Sequence, residues 1–452
     1  MSFIHADQAL LPSGWQSNVR LSLADGRIEK VTNGAPGPYD HRVGILLPAP
    51  GNLHSHAFQR AMAGLTEYRS AGQDSFWTWR TLMYRFLEAL TPDDVEAIAA
   101  QVYVEMLEAG YASVGEFHYL HHGPSGAAYD DPAEMSARIA AAAADTGIGL
   151  THLPVLYMQG GTDGRALEGG QLRFGNDMDG FERLLESAEA SVSQVGPDAR
   201  TGAAAHSLRA VGVEALTEAV GLRPDAPFHI HIAEQVAEIS EVLASHGATP
   251  VKWLLEIMDV GPRWCLIHAT HMTPAETEGL ARSGAVAGLC PITEANLGDG
   301  IFDGARYLAA GGRLGVGSDS NILISLNEEL RSLEYSQRLR DRGRAVLATP
   351  SEGTGRRLFD QASRGGAQAL GRAAGEIGPG RWADLVALDG DALSIVGLAG
   401  DRILDGWVFA SCDNPIRDVW SAGRHVVAEG RHISRDRIQH RFRQVLAKLR
   451  AA

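Results

Sequence analysis

Lysine, cysteine and long apolar runs are all scarce in this sequence. Lysine occurs at only three of the 452 positions, so almost all of the positive charge is carried by arginine. The three cysteines lie far apart and are odd in number, which excludes a disulfide framework and indicates a reducing compartment. No apolar run approaches the roughly 18 residues of a membrane span, and the first residues lack the basic and apolar regions of a signal peptide. We therefore expect a cytoplasmic protein that does not enter the membrane.

Positive charge is also scarce relative to negative charge. The sequence contains 40 lysine and arginine residues against 55 aspartate and glutamate residues, a formal net charge of −15 at pH 7. This balance argues against nucleic acid and anionic membrane surfaces as partners. The hydrophobic content of 45% and the charged content of 21% are typical of a globular enzyme. For an enzyme of this size we expect a homodimer.

Two kinds of pattern divide the chain. Residues 1–47 and 371–432 contain short strand-like segments, and we expect them to build one small composite β-sandwich domain because chain ends often lie close together. Residues 48–370 alternate eight strand patterns with eight helical patterns, which predicts an α/β fold, a (β/α)8 TIM barrel. An open doubly wound sheet is disfavoured because no G-x-G-x-x-G follows the first strand. Residues 433–452 predict a basic amphipathic helix that docks on the barrel rather than on a membrane.

Two connections between predicted strands and helices are longer than the usual few residues. Residues 57–91 contain the aromatic, arginine-bearing stretch FWTWRTLMYRF. Residues 157–177 are rich in glycine and could form a lid. Both connections follow strands on the side of the barrel where enzymes of this architecture place their active sites.

Histidine is concentrated where the predicted barrel strands end. Buried strands should be apolar, yet eight of the 17 histidines lie at or just after the C-terminal ends of these strands. A random scatter over surface and core would not favour these positions, so the pattern indicates a functional site. The histidines concerned are His54, His56, His118, His206, His229, His231, His268 and His271.

Two pairs of these histidines have an H-x-H spacing. Residues two apart on an extended segment project from the same face, so His54 and His56 in NLHSHAF can bring two imidazoles to one point. His229 and His231 in PFHIHIAE form a second pair, in which His229 is equally well explained as a core histidine with its nitrogens satisfied. Paired imidazoles suit a metal that takes nitrogen ligands, such as zinc or ferrous iron.

Two acidic residues and a further histidine extend the predicted metal site. Asp319 follows an apolar strand in GVGSDS, where an unpaired buried carboxylate would be costly and a metal ligand role removes that cost. His268 ends the strand WCLIHA. Glu234 lies past the fifth strand, well placed to act on a metal-bound water, although a helix-initiating carboxylate is also reasonable there. Three histidines and one aspartate give N3O ligation of one ion, with room for water or substrate.

The scarcity of lysine limits the expected number of metal ions. A dinuclear site of this general kind needs a bridging anionic ligand, often a modified lysine on a middle strand. None of the three lysines, Lys30, Lys252 and Lys448, lies on a predicted barrel strand. The sequence therefore predicts one divalent ion per chain, zinc or alternatively ferrous iron.

These motifs resemble the amidohydrolase superfamily, in its branch of single-metal deaminases. The resemblance consists of H-S-H after the first strand, H-I-A-E after the fifth, a histidine after the sixth and an aspartate after the eighth. GPGRWADLVALD is similar to the composite β domain of that branch. Further segments, NLHSHAFQRAMAGLTE, FWTWR, GEFHYLHH, AAHSLRAV and HIHIAEQ, are similar to the formimidoylglutamate deiminase family. This resemblance implies hydrolysis of N-formimidoyl-L-glutamate to N-formyl-L-glutamate and ammonia in histidine degradation.

The resemblance also implies roles for individual residues. The implied metal ligands are His54, His56, His231 and Asp319. Glu234 and His268 would handle protons, with Asp319 as a secondary acceptor. The residues that would hold the substrate are Gln59, Arg80, Tyr119, His206 and Arg209.

The implied substrate agrees with the arginine content of the sequence. It carries two carboxylates, and a protein of negative net charge needs local cations to bind it. Arg80 and Arg209 offer bidentate carboxylate binding, whereas a surface ion pair is the alternative explanation for either. Two other functions stay open. One is an aminohydrolase or chlorohydrolase of the same branch acting on a purine, pterin or triazine, and the other is a catalytically silent barrel that serves as a binding module.

Overall fold

The computed structural model describes residues 2–67, 83–84 and 86–451. Arg80 and most of the stretch FWTWRTLMYRF lie outside the described residues. Within those ranges, no helix combines the length and the apolarity that crossing a membrane requires.

Eight parallel strands form a barrel, in the order in which they occur in the chain. The strands are Gly51–Ser55, Ser113–His118, Gly149–Leu156, Ala203–Ser207, Phe228–Ile232, Trp264–His268, Val286–Leu289 and Arg313–Val316, and a short strand, Arg200–Thr201, pairs with the third. The barrel closes where Ser55 pairs with Asp319 in a parallel bridge, next to a hydrogen bond from the amide N of Asp319 to the carbonyl O of His54 at 3.0 Å. The predicted (β/α)8 barrel is confirmed.

Helices follow the strands and begin where the sequence supplies caps. The Thr91 side chain accepts a hydrogen bond from the amide N of Asp94, whose carboxylate accepts one from the amide N of Thr91, and Pro92 is the first helical residue. The helices whose two ends lie within the described residues are Pro92–Glu108, Glu134–Thr146, Met178–Ser193, Val213–Leu222, Val236–His246, Pro250–Ile257, Pro274–Ser283, Pro291–Leu297, Gly304–Ala309, Leu326–Asp341, Thr354–Ala369, Arg402–Ala410 and Arg435–Ala451. Short 3-10 turns cover Ala57–Met62, Pro124–Gly126 and Gly169–Arg173.

Strands from both ends of the chain form one continuous eight-stranded sheet. Its two halves meet where His41–Pro48 runs antiparallel to Leu385–Leu388, with Leu47 opposite Val386. This sheet has an apolar core of its own. In order across the sheet, the strands are Arg431–His432, Arg424–Ala428, Ile416–Ser421, Leu385–Leu388, His41–Pro48, Ser2–Leu11, Gly14–Ala24 and Arg27–Asn33. The expectation of a small composite β domain made from both chain ends is confirmed.

A buried arginine joins the composite sheet to the barrel. Arg372 Nε donates to Asp384 Oδ2 at 2.6 Å, and Arg372 Nη2 donates to Asp198 Oδ2 at 3.0 Å. Asp384 directly precedes the sheet strand Leu385–Leu388, whereas Asp198 lies just before the short strand beside the barrel. All three side chains are buried, so the guanidinium compensates two carboxylates that water cannot reach.

Removal of this guanidinium should strongly destabilise the protein. Arg372→Ala leaves the buried carboxylate of Asp384 without its cation, whereas Asp198 keeps its ion pair with Arg424. Removal of one partner from a buried ion pair costs about 3–5 kcal/mol of the free energy of unfolding. Urea denaturation followed by tryptophan fluorescence measures this change. As a control, Arg437→Ala removes an exposed ion pair with Asp145, at an expected cost below about 1 kcal/mol. Equal effects of the two substitutions would contradict the role assigned to Arg372.

Candidate metal centre and active-site pocket

Four side chains converge at the seam where the barrel closes. His54, His56, His231 and Asp319 each offer one ligand atom, and these atoms lie within 4.8 Å of one another. The Nε2 atoms of His54 and His56 lie 3.4 and 3.2 Å from Asp319 Oδ1. His54 Nε2 and His231 Nε2 are 3.0 Å apart. Because ligands of a tetrahedral zinc ion stand about 3.3 Å from one another, these separations are those of four donors around one ion.

Hydrogen bonds orient two of the imidazoles towards this point. His56 Nδ1 donates to the carbonyl O of Phe117 at 2.8 Å, and His231 Nδ1 donates to the carbonyl O of His206 at 3.1 Å. With the proton on Nδ1, each ring presents the lone pair of Nε2 to the centre. Burial lowers the pKa of His54 to about 3 and also lowers the pKa values of His56 and His231. All three rings are therefore neutral and able to bind a metal.

The carboxylate of Asp319 stays ionised in this buried place. Burial alone would raise its pKa, but the hydrogen bond with His54 and the electrostatic interactions with the neighbouring histidines, His268 among them, outweigh burial and hold the pKa well below its usual value. Three neutral imidazoles and one carboxylate suit a divalent cation. The donor set thus fits the metal that the sequence patterns indicate.

A carboxylate and an imidazole lie beside these four residues. His268 Nε2 is 3.9 Å from Glu234 Oε1 and 3.9 Å from Asp319 Oδ2. On its other side, His268 Nδ1 donates to Glu294 Oε1 at 3.2 Å. Burial raises the pKa of Glu234 to about 7. Burial alone would lower the pKa of His268, but the carboxylates of Glu234 and Glu294 outweigh it and raise that pKa to about 10.

A pocket opens over this group and contains most of the predicted substrate-binding residues. Gln59, Tyr119, His206 and Arg209 all line it, and Gln59 Nε2 donates to the Tyr119 hydroxyl at 2.7 Å. Arg80, the fifth predicted residue, lies outside the described residues. The structure adds wall residues that the sequence patterns did not indicate, namely Met83, Tyr84, Tyr157, Phe174, Leu297 and Ser320.

Two family models match this chain. The model of the amidohydrolase family matches residues 45–426, which contain the barrel and its four convergent side chains. The chain belongs to the amidohydrolase family. A second model, of the N-terminal domain of formimidoylglutamate deiminase HutF, matches residues 1–44 of this amidohydrolase. Together, the family and the buried cluster of histidines and aspartate indicate a divalent-metal site.

Several proteins resemble this amidohydrolase along most of their length. Formimidoylglutamate deiminase of Pseudomonas aeruginosa is 50% identical over 99% of this chain and 100% of its own. The 8-oxoguanine deaminase of that organism is 27% identical, with 83% of each chain covered. The crystal structure of an amidohydrolase from Brucella melitensis has a TM-score of 0.96 at 50% identity, covering 99% of this chain and 100% of the other. An adenosine deaminase from Xanthomonas campestris with bound zinc has a TM-score of 0.83 at 20% identity over 100% of this chain and 98% of its own, which supports the fold alone.

The sequence patterns did not predict a buried polar network that adjoins the four convergent residues of this amidohydrolase. Asn52 Nδ2 donates to Ser318 Oγ at 2.7 Å, and Ser318 Oγ donates to Asn321 Oδ1 at 2.6 Å. Asn321 Nδ2 donates in turn to Ser55 Oγ at 3.2 Å. In the sequence, these residues lie beside the convergent histidines in GNLHSH and beside Asp319 in GSDSN. Polar residues next to these motifs were therefore the sequence signal from which the network could have been predicted. The network ties the first strand to the segment that carries Asp319.

The backbone at several strand ends adopts the left-handed conformation. Asp319, His268 and Ala233 have φ values of 47°, 68° and 54°. For residues other than glycine this conformation costs roughly 1–2 kcal/mol each. Such strained conformations persist only where contacts with the surrounding structure stabilise them. Here the left-handed conformation changes the direction of the chain at the ends of three strands. No sequence pattern predicts it.

Not every strand-end histidine belongs to the centre. His229 Nε2 donates to the carbonyl O of Ala369 at 2.8 Å, and His229 belongs to none of the ligand groups among the described residues. The core explanation therefore fits this residue, with Nε2 satisfied and Nδ1 without a hydrogen-bond partner. His271 Nε2 donates to the carbonyl O of Asp299 at 2.7 Å. His118 is buried beside the ring of His152, with ring centroids 5.6 Å apart. The concentration of histidine at strand ends therefore has both functional and structural causes.

The glycine-rich segment 157–177 forms part of the pocket wall. It contributes Phe174 to the pocket, and Gln171 Nε2 donates to the Tyr157 hydroxyl at 3.1 Å. Arg173 is fully buried and donates to the carbonyl O atoms of His122 at 2.8 Å and Leu90 at 3.2 Å. These bonds hold the segment against the end of the long first connection, at Leu90, and against the residues that follow the second barrel strand, at His122.

Disruption of the polar network should weaken metal binding without unfolding the protein. Asn321→Ala removes the donor to Ser55 and the acceptor from Ser318, and loss of such supporting groups typically lowers metal affinity by about 10–100-fold. Competition with a chromophoric chelator measures the dissociation constant. Asn33→Ala, at an exposed position of the composite sheet, is the control and should leave the affinity unchanged. Unaltered affinity of Asn321→Ala would show that the network does not support the ligands.

Proposed function

We propose that this chain catalyses the hydrolytic deimination of N-formimidoyl-L-glutamate to N-formyl-L-glutamate and ammonia in histidine degradation. The observation that carries this proposal is the 50% identity, over 99% of the chain, to a formimidoylglutamate deiminase. The match of residues 1–44 to the N-terminal domain of that enzyme supports it further. By contrast, the relative named as an 8-oxoguanine deaminase is only 27% identical.

In this proposal one divalent ion, zinc or alternatively ferrous iron, is held by His54, His56, His231 and Asp319. Their donor separations of 3.0–3.4 Å support a single ion. None of the three lysines lies on a barrel strand, which removes the bridging ligand of a dinuclear site. When bound, such an ion supplies a hydroxide equivalent at neutral pH because it lowers the pKa of coordinated water.

Glu234 is the proposed general base. Its carboxylate lies next to both His268 and Asp319, and its pKa of about 7 suits a group that both accepts and returns a proton at neutral pH. Glu234 takes a proton from the attacking water and delivers it to the amidine nitrogen as the C–O bond forms. The hydroxyl proton of the tetrahedral adduct then moves to the same nitrogen, so that the C–N bond breaks, ammonia leaves and the formyl carbonyl remains. His268 and Asp319 orient the attacking oxygen, and Glu294 holds the His268 ring so that Nε2 faces the reacting atoms.

The pocket wall is the proposed binding site for the dicarboxylate. Arg209 lines the pocket, and its guanidinium can donate two parallel hydrogen bonds to a carboxylate. This local positive charge is needed because the net charge of the protein is −15. Gln59, Tyr119 and His206 add amide, hydroxyl and imidazole groups around it. From the sequence alone, Arg80 is assigned to the second carboxylate of the substrate.

We also propose that the enzyme is a cytoplasmic homodimer. All three cysteines are unpaired, which suits a reducing compartment. The dimer rests on the size of the enzyme, because symmetric dimers are the commonest assemblies. The domain limits at residues 47, 370 and 432 are likewise our assignment from the sequence pattern.

Purified protein should release ammonia from N-formimidoyl-L-glutamate, and Glu234→Gln should lose most of this activity. Glutamine has the size of glutamate but cannot accept the proton, and a general base contributes typically about 10²–10⁴-fold to the rate. A coupled ammonia assay gives kcat, and elemental analysis should show unchanged metal content. Glu256→Gln, an exposed helical position, is the matched control. Ammonia release only from a purine, pterin or triazine would refute the substrate, and normal turnover of Glu234→Gln would refute the base.

The activity should also rise with pH through neutrality. Glu234 accepts a proton only when ionised, and burial raises its pKa to about 7, so kcat/KM should fall about tenfold per unit below pH 7 and level off above it. The pKa of His54, lowered by burial to about 3, keeps this ligand neutral across the range. Measurement of kcat/KM and of bound metal between pH 5.5 and 8.5 tests this. A flat profile with constant metal content would exclude an essential base of this pKa.

A further inference from the structure

A second group of convergent ligand side chains lies outside the active site, on the composite sheet. Among the residues that the structure describes, His41, Asp418 and His425 each offer one donor atom, and these atoms lie within 4.8 Å of one another. We propose that these three residues form a second divalent-metal site, suited to zinc or another imidazole-binding transition metal. The site would hold one ion in addition to the single ion that the sequence predicts for the active site. It would join residues from both parts of the composite sheet, and its existence does not depend on the proposed function.

The donor atoms have the separations of a metal site. His41 Nε2 lies 3.4 Å from Asp418 Oδ1, and His425 Nε2 lies 2.8 Å from the same oxygen. The first distance matches the roughly 3.3 Å between ligands of a tetrahedral ion, and the second reaches it with a shift of a few tenths of an ångström. The active-site ligands have comparable separations of 3.0–3.4 Å. In the absence of an ion, the contact between His425 Nε2 and Asp418 Oδ1 is a hydrogen bond, which a bound ion would replace.

One tryptophan holds both imidazoles in place. The Trp420 ring stacks on His425 with centroids 4.6 Å apart and an interplanar angle of 14°. The same ring meets His41 edge-on, with centroids 5.2 Å apart and an angle of 80°. Because Trp420 is itself buried, it provides a rigid support for both rings. Such preorganisation lowers the entropic cost of bringing the three ligands to one ion.

The charge around the cluster favours a cation. The Asp418 carboxylate is largely buried and accepts a hydrogen bond from His425 Nε2 at 2.8 Å. An open cleft adjoins the cluster. Its charged lining consists of Asp7, Asp389, Asp391 and Glu429 against Arg42 and Arg417. The excess of carboxylates attracts a cation to the cleft.

The cluster is accessible and leaves positions for water. The His41 and His425 side chains are 42% and 32% exposed, so an ion can enter from solvent and complete its coordination there. His41 begins a strand of the N-terminal part of the composite sheet, whereas Asp418 and His425 lie on strands of the C-terminal part. An ion held by all three would cross-link the sheet and would not touch the catalytic centre.

The test is the number of zinc ions bound per chain. Full-length protein is dialysed to equilibrium against buffered zinc, and bound zinc is measured by elemental analysis for the wild type, His41→Gln, His425→Gln and the double variant. The wild type should bind one more ion per chain than the double variant, and each single variant should bind that ion at least tenfold more weakly. Added zinc should raise the thermal midpoint of the wild type above that of the double variant, because an ion that binds only the folded state stabilises it.

A matched control separates this site from weak surface binding. His246 stacks on Trp253 with centroids 3.9 Å apart at 14°, like His425 on Trp420, but it belongs to none of the ligand groups found among the described residues. His246→Gln should retain the full zinc content of the wild type. Equal zinc content of the wild type and the double variant would overturn the proposal, as would an equal loss in His246→Gln. Because the readout is a difference in bound metal between variants, it stands apart from catalytic activity.

Discussion

The backbone contact that closes the barrel determines where the catalytic centre can form. The amide N of Asp319 donates to the carbonyl O of His54, and the amide N of His56 donates to the carbonyl O of Asp319, both at 3.0 Å. Three of the four convergent side chains thus belong to residues that are already bonded through the main chain. Their imidazole-to-carboxylate separations follow from this contact, and only His231 comes from a distant strand. Small main-chain shifts at the seam would therefore move three of the four candidate ligands at once.

Several acidic side chains are buried around this contact. Asp319, Glu234 and Glu294 are all buried within one group, and uncompensated burial of ionised carboxylates is costly. His268 lies between Glu234 and Glu294 and offsets part of this charge, as its raised pKa indicates. A divalent ion against Asp319 would offset the rest. Metal binding and the stability of the barrel mouth are therefore linked.

Sequence patterns predicted the parts of the site that lie at strand ends. The H-x-H spacing predicted that His54 and His56 lie side by side in the site. The regular alternation of strand and helix patterns was sufficient to predict the barrel. Glu294 was missed because it lies on the short helix Pro291–Leu297 and contacts His268 across the barrel mouth, a contact that no periodicity encodes. The sequence could not distinguish His229 from a metal ligand because its hydrogen-bond partner is a main-chain carbonyl, and every residue has one.

Both the composite sheet and the ligand set unite parts of the chain that a ribosome produces at very different times. The strand His41–Pro48 and the histidines His54 and His56 are translated early. Asp319 and the strand Leu385–Leu388, which pairs with His41–Pro48, are translated much later. During this interval the early strand has an open edge, which invites pairing with other chains. A product that terminates before Asp319 would therefore lack one of the four convergent side chains and the C-terminal half of the composite sheet, and its strand His41–Pro48 would keep an unpaired edge.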